Sequence, residues 1–183
     1  MVQLKSLLAA AALAVAASAT PVAEPQPGWW ARDRCLTPAI ASGLVEGFGS
    51  LISAYSNATA NSLLAADFTD TSDSIDFLIG APEGTVTFPS KLAFELGQGS
   101  QPPIPFTVIN IDAVTCSTVA FRWFVTIGPK IIKGINVFDA SFSGNKNLGV
   151  EGWQIETNFS EFNSGLWLEA IGGTCTPPPS HAK

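Results

Sequence analysis

The stretch from Phe106 to Phe162 limits the possible folds most, because it reads as four consecutive strands: FTVINIDAVTC, STVAFRWFVTIG, KGINVFDASFS and VEGWQIETNFSEF. In the second, Val119, Phe121, Trp123, Val125 and Ile127 fall on one face, and Ala120, Arg122, Phe124 and Thr126 on the other. In the fourth, Trp153, Ile155, Thr157 and Phe159 alternate with Gln154, Glu156, Asn158 and Ser160. Side chains of a strand point to opposite faces in turn, so this period of two predicts one continuous apolar surface built from the first set of each strand. The breaks carry Gly128-Pro129 and Ser143-Gly144-Asn145 through Gly149, residues that make turns. Such short breaks favour antiparallel neighbours.

The chain before this sheet alternates helix and turn signals. Thr37-Pro38 starts a helix, with Thr as N-cap and Pro in the first turn. Ile40, Leu44, Val45, Phe48, Leu51, Ile52 and Tyr55 then follow at helical spacing, a stripe suited to lying across a sheet. Gly43, Gly47 and Gly49 each cost about 1 kcal/mol of helix propensity, which predicts close approach to another backbone. A short second helix is expected over Ala58 to Ala66, presenting Leu63 and Leu64. Asp67 to Ile75 is polar and β-prone, and is expected as an early strand paired with Thr85 to Phe88. Ser90 caps a third helix through Leu92 and Leu96, and Pro102, Pro103 and Pro105 keep it out of the sheet. Ser164 caps a last short helix carrying Leu166, Trp167 and Ile171. This order predicts an α+β cone, a curved, mostly antiparallel sheet wrapped on the long first helix.

At 183 residues the chain suffices for one ordinary domain with a core. Charged residues make up only 13% and the formal net charge is −6, with no cluster of Lys and Arg. That excludes phosphate-rich partners, so neither nucleic acid nor an anionic membrane is expected. Residues 1–19 read as a signal peptide: Lys5, the apolar run Ser6 to Ala17, then Ala17-Ser18-Ala19 as a cleavage site. Residues 20–34 are an extended Pro- and Gly-rich lead-in, 35–175 the domain, and 176–183 a disordered tail. A secreted, extracellular protein is therefore expected, and in that setting Cys35, Cys116 and Cys175 are read as one bridge and one thiol. Cys35–Cys175 is the favoured pair, since it would clasp the two ends of the domain. Asn57-Ala-Thr59 and Asn158-Phe-Ser160 are glycosylation sequons.

Few side chains offer chemistry. The single histidine, His181, lies in the tail, which sets aside histidine acid–base and triad mechanisms and deprives zinc of its commonest nitrogen ligand. No metal and no cofactor are implied. Asp67, Asp70, Asp73 and Asp76 cluster, and Asp70 would share a strand face with Phe68 and Ser72. Facing into the cone, Asp70 is the candidate general base, its pKa raised by apolar walls. The competing reading is that these aspartates satisfy local backbone donors. A calcium loop lacks the Gly and terminal Glu of an EF-hand. Arg122 is read as an outward residue paired with Glu156 or Asp139, or else as a carboxylate binder, and Glu161 as a residue of the pocket mouth. By register Tyr55, Phe68, Trp123, Trp153 and Phe159, with Thr157 and Asp70, line a concave apolar pocket of the kind that takes small molecules. Phe124, Phe138 and Phe142 fall on the opposite register and predict a homodimer through the outer sheet face.

The segments DFTDTSDSIDFLIG, FPSK, GQGSQPPIPF, CSTVAFRW, KGINVF and GWQIETNFSEFNS resemble a family of small secreted fungal proteins with a nuclear-transport-factor-2-like domain, over about Cys35 to Cys175. The wider superfamily includes SnoaL-like polyketide cyclases and scytalone dehydratase beside many non-catalytic binding domains, so the resemblance implies the cone without fixing an activity. The expected function is non-catalytic binding of a small apolar ligand or a protein partner. One alternative is a cyclase, isomerase or dehydratase using Asp70 as base. Another is an extracellular effector or interaction platform with a filled cone.

Overall fold

The structure, a computed structural model, describes residues 34–174. The signal peptide, the lead-in up to residue 33 and the tail lie outside the described residues, as does Cys175. Five strands form one sheet in the order β1-β5-β4-β3-β2: β1 Leu64–Thr71, β2 Phe106–Val114, β3 Thr118–Ile127, β4 Lys130–Phe142 and β5 Trp153–Phe162. The last four make the expected antiparallel meander, and β1 adds to β5 in parallel. Five helices accompany them: α1 Pro38–Ser53, α2 Asn57–Leu63, α3 Asp73–Ile79, α4 Lys91–Gly99 and α5 Ser164–Ala170. Among the described residues no helix is long and apolar enough to cross a membrane.

The caps act locally as sequence chemistry dictates. The Thr37 hydroxyl accepts from the Ile40 N–H at 3.2 Å and the Ser90 hydroxyl from the Ala93 N–H at 3.2 Å, each meeting a donor that has no helical partner. The cap of α5 is Asn163, one residue before the expected Ser164, accepting from Leu166 N–H at 2.9 Å. From α1, Leu44, Val45, Phe48 and Leu51 are buried against the inner sheet face. There Phe138 meets Phe48 at a tilt and Phe121 edge to face, at centroid separations of 4.8 and 4.9 Å. Aromatic pairs of this kind add about 0.5–1.5 kcal/mol each beyond their burial. Gly49 of α1 lets Phe106 in, since a Cβ there would lie 2.9 Å from the ring. The close neighbours of the α1 glycines are thus side chains and not the backbone that was expected.

Three further expectations are corrected. The second helix ends at Leu63, and Leu64 already opens β1. The polar run after Thr71 does not continue as strand: Ser72 caps α3, accepting from Ile75 N–H at 3.2 Å, and Gly80 at φ 71° closes it. The expected pairing with Thr85 to Phe88 survives as a single antiparallel bridge, Asp70 to Phe88. The disulfide joins Cys35 to Cys116, not to Cys175. The reason is where the chain enters: Leu36 N–H donates to Cys116 C=O at 3.1 Å, so residue 35 is already pinned to the β2–β3 turn.

Candidate functional site

One bulge decides which side chains meet inside the cone. Opposite β4, Ala140 pairs with Ile155 but Asp139 pairs with Thr157, so Glu156 is an extra residue in β5. A bulge of this kind shifts the alternation by one position. Trp153 and Ile155 face inward as expected, but beyond the bulge Asn158, Ser160 and Phe162 take the inner positions. Thr157 and Phe159 are turned outward and exposed, and do not line the concave side as the unbroken pattern predicted. The same observation removes Asn158 as a sugar acceptor in the folded protein, because its amide is buried. Asn57, at the start of α2, is exposed.

The cone is not filled, which sets aside the platform with a filled cone. A cavity of about 380 Å³ lies between the sheet and the helices. Trp123 and Val125 of β3, Phe106 of β2 and Phe162 of β5 form its sheet wall. Phe48 and Ile52 of α1, with Pro102 and Ile104 after α4, form a second wall. Ile75, Leu78 and Ile79 of α3 and Trp167 and Ile171 at α5 close the remaining side. Among the described residues the polar lining consists of Gln98, Gln101, Asn136 and Ser160, and none of the lining side chains is ionisable. Gly134 makes room for the Trp123 indole, because a Cβ there would stand 2.7 Å from Cε2 of that ring.

Behind the polar lining runs a chain of buried hydrogen bonds. The Trp123 indole N–H donates to Asn136 Oδ1, Asn136 Nδ2 donates to Asn158 Oδ1 at 2.7 Å, and Asn158 Nδ2 donates to Asp70 Oδ1 at 2.9 Å. Asp70 and Phe68 do face inward, as predicted. Asp70 lies two amides away from the cavity and is not among its lining residues. Burial lifts the Asp70 pKa from 3.8 to about 7; the bonds from Asn158 and from Thr71 oppose this, and the Asp76 carboxylate adds to it. Asp76 is fully buried on α3, and among the described residues its Oδ1 has no hydrogen-bond partner.

The other expected site residues disperse. Phe68 packs on Phe94 in the core, and Trp153 packs on Phe142. Tyr55 borders a separate depression with Asn57 and Glu95. Arg122 does face outward, but its partner is Asp112, bound through two bonds of 2.8 and 2.7 Å; the guanidinium holds that carboxyl down at about 2. Glu161 is not at the mouth. Its carboxylate accepts from the N–H groups of Asp73 and Ser74 and from the Ser74 hydroxyl, and so ties the start of α3, a wall of the cavity, to β5. Phe138 and Phe142 lie on the inner side, contrary to their assignment to the outer face. That face instead carries Phe124, Ile135, Val137 and Phe159. The four aspartates form no cage either: among the described residues no three His, Cys, Asp or Glu side chains are placed to hold a metal.

Sequence reasoning missed Asn136, Ser160, Gln98 and the whole of α3. Ser72 followed by Asp73 and Asp76, with Gly80 beyond, is a helix signature and was the available signal for α3.

A model of the NTF2-like domain family matches residues 34–174. Among curated proteins none matches in sequence. Among solved structures, wild-type IdmH of Streptomyces antibioticus, named as a candidate polyketide cyclase, is 16% identical with a TM-score of 0.53, over 72% of this chain and 98% of that one. A SnoaL-like protein of unknown function from Burkholderia thailandensis is 17% identical with a TM-score of 0.51, over 71% and 99%. TsrD of Streptomyces laurentii is 12% identical with a TM-score of 0.50, over 75% and 98%. At these identities the likeness is one of fold.

Proposed function

The chain belongs to the NTF2-like domain family, and from that premise we propose that it is a secreted domain which holds one small, mainly apolar molecule in its cavity without transforming it. The observation that carries this reading is the cavity's chemistry. About 380 Å³ is walled by aliphatic and aromatic side chains, with a few neutral polar groups and, among the described residues, no acid or base. Ligand sites commonly have this form, whereas general acid–base catalysis needs a titratable group within hydrogen-bond reach of the substrate. Secretion is supported by the leader-like residues 1–19 and by the Cys35–Cys116 bridge, since disulfides persist in oxidising compartments. The outer face with Phe124, Ile135, Val137 and Phe159 is a surface through which two copies would pair.

A second reading, a cyclase, isomerase or dehydratase with Asp70 as base, is favoured by the elevated pKa of that carboxyl alone. It requires Asn158 and Asn136 to move aside.

Native mass spectrometry of protein purified from a secreting host tests the proposal. A co-purified small molecule is expected, retained in Asp70→Asn and lost in Ile52→Trp, where an indole would occupy the cavity. Loss of the molecule in a normally folded Asp70→Asn protein would move the weight to the catalytic reading.

A further inference from the structure

Resting on the reading of the cavity as a ligand site, we infer that its ligand is uncharged and carries a hydrogen-bonding oxygen, recognised where β4 and β5 meet. Asn136 and Ser160 are direct cross-strand partners on the inner face, 2% and 5% exposed, and both line the cavity. The Asn136 carbonyl oxygen is taken by the Trp123 indole and one amide hydrogen by Asn158, which leaves its second N–H uncommitted. Among the hydrogen bonds of the described residues none engages Ser160 Oγ, and none engages the side-chain amide of Gln98, a cavity residue of α4 only 7% exposed. Polar groups that face an enclosed apolar space gain from a ligand atom that bonds them. Asn136, Ser160 and Gln98 open onto one otherwise apolar chamber with bonding capacity that no hydrogen bond of the described residues takes up, and so mark the place where a ligand atom completes the bonding.

The same lining sets the ligand's charge and bulk. Among the described residues no ionisable side chain borders the cavity, so a carboxylate or ammonium would be buried there without a counter-charge. An apolar cavity of about 150 Å³ takes benzene. At about 380 Å³ this one suits a molecule of roughly twice that bulk or more. Asn136 can only donate, so a carbonyl or ether oxygen fits it, and Ser160 and Gln98 accept or donate as the ligand requires.

Calorimetric titration with three probes of one shape tests this: 2-acetylnaphthalene, 2-isopropenylnaphthalene and 2-naphthoate at neutral pH. The ketone is expected to bind about three- to tenfold more tightly than the hydrocarbon, and the carboxylate at least about a hundredfold more weakly than the ketone. In Ser160→Ala the ketone's advantage should shrink by about two- to threefold while the hydrocarbon's affinity holds, with the near-ultraviolet tryptophan signal retained as the sign of an intact fold. Equal affinity for ketone and hydrocarbon, the result if water satisfies these groups, overturns the inference and leaves the apolar-binding reading standing. So does tight binding of the carboxylate. Absence of binding by all three overturns both.

Discussion

Replacing Asp70 by Asn should stabilise the protein at neutral and alkaline pH and do nothing in acid. The Asp70 carboxyl is 2% exposed, and its pKa stands at about 7 against an ordinary 3.8, with burial the leading cause. The folded state therefore holds this proton more tightly than the unfolded chain does between those two values. Stability falls wherever the folded state binds more protons than the unfolded one as pH rises. The contribution of Asp70 is complete below about pH 4, is lost as pH climbs through about 7, and is level above that. At about 1.4 kcal/mol per pH unit of separation, the loss amounts to about 4 kcal/mol at most. Asn keeps the size, keeps an acceptor for Asn158 Nδ2, and ends the repulsion from Asp76. Urea unfolding of both proteins at pH 4, 6 and 8 measures the difference directly. The variant should gain over the wild type from pH 4 to 8, toward about 4 kcal/mol. Parallel curves, or a variant that loses ground as pH rises, would refute the reasoning.

Three other outcomes follow from the geometry. Cys116→Ser should cost about 4–5 kcal/mol of stability, the chain-entropy value for a bridge with a sequence separation of 81, and non-reducing peptide mapping should recover Cys35 with Cys116. Gly134→Ala should drive the Trp123 indole off β4, lowering stability by about 1–3 kcal/mol and changing the near-ultraviolet circular dichroism. Expressed through a eukaryotic secretory route, folded protein should carry sugar on Asn57 and none on Asn158, which glycopeptide mass spectrometry will show.

The sheet and its neighbours could be read because each was announced locally. The alternation through Val119, Phe121, Trp123 and Val125 is a statement about burial, and those residues are buried. Thr37 and Ser90 could be read as caps because capping needs only a hydroxyl at one position. The interior of the site was hidden because its cause is not local. Nothing in WQIETNFSEF distinguishes a regular strand from one with an extra residue at Glu156. The bulge shows only in the pairing of β5 with its neighbours β4 and β1. One unpaired residue moved Thr157 and Phe159 out and brought Asn158, Ser160 and Phe162 in, exchanging an apolar-looking face for a polar relay. The disulfide was hidden for the same reason, since three cysteines permit three bridges and only the entry of residue 35 at the β2–β3 turn selects one.

That relay explains why a buried carboxylate can serve a site it does not touch. An indole N–H can only donate, so the Asn136 carbonyl must turn toward Trp123 and its NH2 toward Asn158. The Asn158 carbonyl is thereby occupied, and its NH2 must find an acceptor, which is Asp70 Oδ1. A carboxyl group keeps an oxygen able to accept there whether or not the other oxygen carries a proton. The direction of every bond from Trp123 to Asp70 is thus the same in both protonation states, and Asn136 presents an N–H to the cavity in each. Replacing Asp70 by Leu would remove the terminal acceptor and leave Asn158 Nδ2 buried without a partner, loosening the relay that Asn would hold. An apolar ligand would be indifferent to that change. A ligand read by its oxygen should bind more weakly in Asp70→Leu than in Asp70→Asn, a contrast that places Asp70 as a positioning residue and not as a base.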